Sequence, residues 1–499
     1  MMQQYLSIKE AYPDTILFYR MGDFYEMFFD DAEVAARVLE ITLTSRNKKD
    51  ETPIPMCGVP HRAAPGYISR LLDAGHRVAI CDQVEDPATA RGLVKREVVR
   101  VITPGMIVEN EYLEEKSNNY VLALVCVSGT FGMAYLDLST GTFRLTESVQ
   151  ADKIAAEILR VSPREVIFPE TGRSDPLFSA FLDAITETPV TWFADRYFEK
   201  RQAHNALLKQ FKVVSLEGFG CQDMQAGARA AGGLLLYVQE MQKQPAEHLR
   251  RIEPYLLEQY LWLDDMSCRN LELTSNIRTG SRQGTLLSII DRTVTAMGGR
   301  MLKEWLRYPL RDMQQIERRL DAVAEGKSSR SVRSSLRQAL QTVYDLERLG
   351  SKITMGHCNA RDLTALKQSL QMLPEISSML DRLDANLFTL KEDTSNLLEL
   401  ASLIESAIRE DAPLTTQEGG MIQSGYNQQL DELVQMSRDG KGWLARLEVQ
   451  EREATGIQTL KVRYNKVFGY YIEVPKSRSE DAPAHYVRKQ TLVNAERYI

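Results

Sequence analysis

No cysteine in this sequence is placed to build a framework. The six cysteines (Cys57, Cys81, Cys126, Cys221, Cys268, Cys358) are scattered through 499 residues with no CxxC pair, which excludes a disulfide scaffold and leaves reduced thiols as the simpler reading. The six histidines are scattered too, apart from His357 beside Cys358, so no zinc spacing exists. No run approaches the ~18 apolar residues of a membrane span, and the N-terminus has no signal-peptide core. These absences point to a cytoplasmic chain with no membrane partner. Positive charge is not in excess either. The 61 Lys+Arg against 68 Asp+Glu give a net charge of −7, so any nucleic acid must meet local basic patches rather than a basic surface. A phosphate-cradling loop is also missing. The only Gly-Lys-Ser is Gly326-Lys327-Ser328, and position 321 is Asp where GxxxxGK[ST] requires Gly. It falls between helical runs instead of after a strand.

What is present is an ordinary globular composition, 43% apolar and 26% charged, long enough for roughly three or four domains. In residues 1–104, TILFYRMG (15–22) predicts a strand and the stretch from about Phe24 to Thr42 a helix. YISRLLDAG predicts a second helix, HRVAICDQV a strand and KREVVRVITPG a basic strand, with Thr103-Pro104-Gly105 as a domain exit. Residues 118–146 hold two strand-like runs, YVLALVCV and FGMAYLDLSTGTFRLTE. A helix (DKIAAEILRVS) and a strand (REVIFP) complete a second α/β unit, closing near the Gly-rich stretch 227–233.

From about 234 to 424 the character becomes helical, with LLLYVQEMQ, LWLDDMSCRNLELT, MLKEWLRYPL and MQQIERRLDAVAE; Ile316, Leu320 and Val323 mark one apolar stripe. This reads as a helical core, because Pro309, Pro374 and Pro413 and the lack of a sustained heptad disfavour a coiled-coil spacer. Residues 425–499 open with one helix (YNQQLDELVQMSRDGKGWLARLEVQERE) and switch to strand chemistry in TLKVRYNKVFGYYIEV. The last segment, RKQTLVNAERYI, stops inside what reads as a continuing element.

The most informative stretch is Phe18-Tyr-Arg-Met-Gly-Asp-Phe-Tyr-Glu-Met-Phe28. One reading is structural: Asp23 and Glu26 close a capping box, with Phe24, Phe28, Ala32, Ala35 and Leu39 on one helical face. The other is functional: an aromatic just after a Gly-Asp turn projects from the domain tip as a wedge that unstacks and kinks a duplex. Such a wedge senses deformability rather than base sequence. Glu26 would then be the odd partner, tolerable near phosphates if it accepts a bond from a base or is itself protonated.

This stretch resembles the Phe-X-Glu mismatch-reading motif of the MutS family, which implies Phe24 as the stacking wedge and Glu26 as the base contact. Further stretches match in order: Pro53-Ile-Pro-Met-Cys-Gly-Val-Pro60, Asp86-Pro-Ala-Thr-Ala90, Ala134-Tyr-Leu-Asp-Leu-Ser-Thr-Gly141, Thr295-Ala-Met-Gly-Gly-Arg-Met-Leu302, Gly469-Tyr-Tyr-Ile-Glu-Val474 and Asn494-Ala-Glu-Arg-Tyr498. The resemblance implies a multidomain α/β plus all-α chain: a mixed α/β mismatch-binding domain at 1–104, an RNase H-like connector at 114–235, a helical core/lever at 236–424 and an incomplete helix–strand clamp at 425–499.

Near the wedge lie Arg46, Lys48, Lys49, Arg62, Arg91, Lys95, Arg96 and Arg100. The resemblance favours Arg46 and Arg96 as backbone contacts and Met56 as an apolar neighbour of the groove. Residues 457–478 hold Lys461, Arg463, Lys466, Lys476 and Arg478 against Glu473 alone, with Tyr464, Phe468, Tyr470 and Tyr471 interleaved. Lys461, Arg463 and Asn465 alternate on one face of a strand. The bland reading of this patch is a solvated hairpin; the family's clamp implies duplex-backbone contacts by Lys461, Arg463, Asn465 and Lys466.

No catalytic or metal site is expected. A nuclease centred on the RNase H-like unit needs convergent carboxylates, and Asp137 stands alone. A protein-binding helical scaffold is the other rival. The family's proteins end in an ATPase domain using ATP and Mg2+, bind MutL through the connector and form homodimers. That domain is not in this sequence, and the expectation here is a non-enzymatic portion that binds duplex DNA with mismatches or small loops.

Overall fold

Six short segments of the first hundred residues pair into a sheet in the order β3-β4-β2-β1-β5-β6. They are β1 (Ile16–Met21), β2 (Phe24–Phe28), β3 (Thr44–Arg46), β4 (Ile54–Pro60), β5 (Val78–Gln83) and β6 (Arg96–Ile102). The computed structural model describes residues 1–46, 53–85, 94–109, 112–186, 188–390, 393–438, 440–465, 469–483, 485–492 and 494–499. They form two units, Met1–Ile404 and Glu405–Ile499. Strand alternation sorts the first sheet's side chains. Phe18, Tyr25 and Met27 face α2 (Phe29–Leu39) and α3 (Ala64–Asp73), whereas Leu17, Tyr19 and Phe28 pack with Tyr5 of α1 (Met2–Ala11) on the other face. Helix α1 is held there by the buried Asp31 carboxylate, which accepts from Lys9 Nζ at 2.8 Å, Tyr5 OH at 3.2 Å and Leu17 N at 3.0 Å.

The helix expected from Phe24 begins five residues later. Residues 24–28 are strand β2, so the capping box of Asp23 and Glu26 does not form. The period-two burial of Tyr25 and Met27 beneath the sheet prevails over the capping signal, and both Phe24 and Phe28 leave the helical stripe: Ala32, Ala35 and Leu39 pack with Tyr25 and Met27, whereas Phe28 packs with Tyr5 on the other face.

The second sheet runs β11-β10-β7-β8-β9-β12. Its strands are β7 (Tyr120–Val127), β8 (Thr130–Asp137), β9 (Thr142–Ser148), β10 (Glu165–Pro169), β11 (Val190–Phe193) and β12 (Glu253–Pro254). The run FGMAYLDLSTGTFRLTE is thus two strands, turning at Gly141 with φ +76. An antiparallel meander β7-β8-β9 continues into β10 and β11, both parallel to β7. Helices α4 (Ala151–Val161), α5 (Pro176–Ala184), α6 (Lys200–Phe211) and α7 (Gln225–Gln242) cover it. The Gly-rich stretch lies inside α7 and is there for close approach. A Cβ on Gly233 would sit 2.2 Å from Phe198 Cδ1, and one on Gly232 would sit 2.4 Å from the Ala203 backbone.

The two sheets are keyed together at Glu165, which is fully buried. Its carboxylate accepts from Thr103 Oγ1 at 2.5 Å, Thr191 Oγ1 at 2.6 Å and Tyr237 OH at 2.7 Å, with Arg77 Nη2 at 3.7 Å. Thr103 and Arg77 belong to the first sheet's neighbourhood, Thr191 and Tyr237 to the second.

The rest of the first unit is helical: α8 (Asp265–Asn270), α9 (Leu286–Ile290), α10 (Ala296–Arg307), α11 (Met313–Ser328), α12 (Arg330–Leu340), α13 (Leu346–Thr354), α14 (Ala360–Gln371), α15 (Leu373–Leu380) and α16 (Ser395–Ala407). Thr295, Asp312 and Asn359 cap α10, α11 and α14 with side-chain oxygens. LWLDDMSCRNLELT is helical only over Asp265–Asn270. Its start is drawn into backbone pairing, with Leu261 N on Pro309 O at 2.8 Å and a bridge between Tyr260 and Leu310. The α11 stripe is also a correction. Ala322 is the buried residue of that helix, while Leu320 and Val323 are 60% and 64% exposed. Gly326-Lys327-Ser328 forms the last turn of α11.

In the second unit the expected helix is described over α17 (Gln428–Arg438) and α18 (Gly440–Thr455), with residue 439 outside the described residues. A four-stranded antiparallel sheet follows in the order β13-β14-β16-β15, from β13 (Lys461–Asn465), β14 (Gly469–Pro475), β15 (Arg488–Thr491) and β16 (Ala495–Tyr498). Among the described residues, no helix is long and apolar enough to cross a membrane.

Candidate nucleic-acid interface

Strands β1 and β2 form a hairpin whose last pair is Met21 with Phe24, leaving Gly22 and Asp23 as a two-residue loop. Gly22 has φ +60, the conformation that tight hairpin loops demand at a glycine. Phe24 therefore stands at the tip, 47% exposed, in contrast to fully buried Phe28 four residues on. Phe24 and Glu26, two apart on one strand, share a face of the sheet. Opposite them on β4 are Pro60 and Gly58. Gly58 clears the space beside Glu26: a Cβ there would lie 3.6 Å from Glu26 Cγ and 3.3 Å from Tyr25 O. Met56, half-buried, pairs with Phe28 further down the same strands.

The Glu26 side chain is 22% exposed, and its Oε2 has no hydrogen-bond partner. Burial pushes the carboxyl above its ordinary range, and Arg46, with Nη1 3.9 Å away, opposes the shift. Arg46 is itself half-exposed and reaches Met1 Sδ at 3.3 Å. The arrangement presents an exposed ring beside a carboxyl that lacks a hydrogen bond. Arg96 departs from its expected place. It is 7% exposed, donating to Arg20 O at 2.7 Å and Val94 O at 2.9 Å, with its guanidinium over the Tyr19 ring. It is turned to protein acceptors rather than outward. Lys95 and Arg100 pair with Glu97 and Glu109; Lys48, Lys49, Arg91 and the stretch 86–90 lie outside the described residues.

Sequence reasoning passed over Arg20 and Gly58. Arg20 Nε donates to Gly22 O, bracing the loop, and the guanidinium stacks 5.5 Å from the Tyr25 ring centroid. A cation two residues before the hairpin glycine was the available signal.

The hairpin of β13 and β14 divides its side chains cleanly. Val462, Ile472 and Val474 pack toward Ile457, Leu460 and Tyr498. Lys461 and Arg463, both exposed, alternate with them and so take the opposite face, where Arg463 Nε is 4.0 Å from Glu473. Glu473 is shared with Arg497 at 3.5 Å. Asn465 holds the last register position, opposite Gly469; Lys466 and Phe468 lie outside the described residues. Tyr464 and Tyr470 form an exposed edge-to-face pair, centroids 5.1 Å apart.

Three family profiles tile this chain: MutS domain I over residues 1–111, MutS domain II over 119–250 and MutS domain III over 266–495. The chain belongs to the MutS family. The DNA mismatch repair protein MutS of Desulfosudis oleivorans is 54% identical over 504 residues, covering 100% of this chain and 57% of the relative. That of Desulforapulum autotrophicum is 53% identical over 510 residues, with the same coverage. That of Halothermothrix orenii is 46% identical over 502 residues, covering 100% of this chain and 56% of the relative. The chain thus spans a little over half the length of the curated MutS relatives it matches.

In the segment matching MutS domain II, Asp137 is the carboxylate that the sequence offered for a nuclease centre. Asp137 is fully buried and its carboxylate is satisfied by Asn118 Nδ2 at 2.9 Å, Asn119 N at 3.2 Å, Ser139 N at 2.9 Å and Ser139 Oγ at 2.7 Å. It locks the end of β8 to the turn that follows. Among the described residues no group of three or more His, Cys, Asp or Glu is placed to hold a metal ion.

Proposed function

We propose that this chain carries the mismatch-reading portion of a MutS protein, binding duplex DNA that contains mispaired or unpaired bases. The observation that carries the reading is the exposed Phe24 on a two-residue hairpin, beside a half-buried Glu26 whose Oε2 has no hydrogen-bond partner. The ring enters the minor groove and stacks on a base. Unstacking costs a few kcal/mol and least at a mispair, so the wedge selects the weak step. Glu26 then meets a displaced base edge, and its raised pKa favours the protonated form that a phosphate-lined groove tolerates. Lys461, Arg463 and Asn465 hold the backbone without regard to sequence, and Lys466 is a further contact in this reading. Arg46 and Met56 flank the groove. Arg96 serves by bracing the sheet.

The remaining family attributes belong to the same proposal: division at 1–104, 114–235, 236–424 and 425–499, MutL as partner of the connector, homodimers, a cytoplasmic location, and ATP with Mg2+ used by a domain outside this sequence. This portion itself is non-enzymatic in our reading. The test is direct. A short homoduplex is compared with the same duplex carrying one G·T pair or one unpaired T, at fixed salt. Tighter binding of the defective duplexes is expected; equal affinity for all of them overturns the proposal.

A further inference from the structure

Helix α10 carries Arg300, Lys303 and Arg307 at spacings of three and four, on one face. That face walls a cavity of about 660 Å³ closed by Leu72–Gly75, the Asn118–Tyr120 segment and the Val161–Arg164 turn. Five cations line it, Arg160, Arg164, Arg300, Lys303 and Arg307. Two are neutralised locally. Arg300 pairs with Asp345 at 2.7 Å and Glu347 at 2.6 Å, and Arg160 with Glu157 at 3.3 Å. Glu304, on the same helix, is committed to Arg144 at 2.9 Å.

Among the described residues Lys303, Arg307 and Arg164 form no ion pair, although Glu114 lies near enough to act on Lys303. Lys303 Nζ donates to Ser117 Oγ at 2.7 Å, and Arg307 reaches only Val161 O at 3.5 Å. Burial and the like charges of Arg307, Arg282 and Arg164, with Glu114 opposing them, push the Lys303 amine down to about 8. Asp73 and Glu114 also line the cavity, so its five cations face three carboxylates, of which Glu304 is already taken. That excess of positive charge around the half-buried Lys303 and Arg307 is costly, because desolvated charge is tolerated only when paired.

We propose that this cavity binds a compact, multiply charged anion of the phosphate class, held by Lys303, Arg307 and Arg164. A duplex is excluded by size, since the volume is that of a small-molecule site. The anion would bridge the Leu72–Gly75 segment, the Asn118–Tyr120 and Val161–Arg164 segments and helix α10, all of which line the cavity.

The test uses unmodified protein. Acylation of lysine amines is followed by peptide mass spectrometry near pH 8, with and without inorganic pyrophosphate and with sodium chloride at matched ionic strength. Lys303 is expected to react ahead of the exposed Lys95 and Lys489 when pyrophosphate is absent. Pyrophosphate should slow Lys303 by about tenfold or more, because each unit of restored pKa removes tenfold of the free amine. Lys95 and Lys489 should be unaffected. No selective protection, or the same protection by chloride, overturns the proposal. As a second measurement, pyrophosphate should raise the melting temperature saturably, and Arg307→Gln should abolish that rise. A rise that survives the substitution also counts against the site.

Discussion

At the scale of single residues, exposure separates two phenylalanines four positions apart. Phe28 is fully buried against Tyr5, ring centroids 5.0 Å apart, and its truncation to Ala should cost ~3–5 kcal/mol. Phe24→Ala should leave the thermal midpoint nearly unchanged, since surface substitutions stay within ~0.5 kcal/mol. It should also remove the preference for defective duplex, a loss of ~1–3 kcal/mol if the ring stacks on one base. Melting curves and paired binding titrations check both halves. A large thermal loss with preference retained would return Phe24 to the core. Glu26 gives a prediction with a sign. Burial raises its folded pKa above the unfolded value, so between the two the folded chain binds the proton more tightly than the unfolded chain does. Stability then falls as pH rises from the unfolded pKa through the folded one. Glu26→Gln should raise the melting temperature at neutral pH, with the gain fading below the ordinary carboxylate range. In binding, it should compress the ratio of mismatched to matched affinity, chiefly by improving matched binding. An unaltered ratio at one fixed salt concentration removes Glu26 from recognition.

At the scale of elements, the β13–β14 hairpin should act as an electrostatic grip. Replacing Lys461 and Arg463 by Ala should weaken matched and mismatched duplex alike and flatten the salt dependence by up to ~2 units of log–log slope. A slope that stays the same would mean that both side chains are solvated bystanders. This hairpin was legible in the sequence because polar Lys461, Arg463 and Asn465 alternate with Val462 and Tyr464. The β1–β2 hairpin was half legible. The strand before Gly22 and the helix through Ala32 and Leu39 were in the pattern. The strand Phe24–Phe28 was not, because a Glu three residues after Asp23 imitates a helix start, whereas pairing on both edges, with β1 and with β4 some thirty residues away, makes that segment extended. The same limit hid the fate of Leu261, drawn out of a helical pattern by Pro309, and of Arg96, whose charge suggested phosphate but whose neighbours are carbonyls.

At the scale of the whole molecule, the helical region leaves much apolar surface uncovered. Leu286, Ile289, Met301, Trp305, Leu320 and Val323 are all exposed, on a chain that spans 57% of its first relative. Periodicity marked Ile316, Leu320 and Val323 on α11 as a core stripe, but among the described residues Leu320 and Val323 find no packing partner that buries them. Leu320→Glu or Val323→Glu should therefore change the chain's stability by no more than ~0.5 kcal/mol, while lowering the binding of a hydrophobic dye and any concentration-dependent association seen by light scattering. A loss of several kcal/mol would show that these side chains are packed after all.

The buried carboxylate of Glu165 has a mechanical meaning. The hairpin that carries Phe24 is built on β1, β1 is bonded to β5, and Arg77 immediately precedes β5. Arg77 and Thr103 reach the same carboxylate that Tyr237 and Thr191 grip from the other side. There is no soft joint along that path. A bending load on the tip arrives at the second sheet as torque, and the sheets can rotate apart only by stripping a desolvated charge of its bonds.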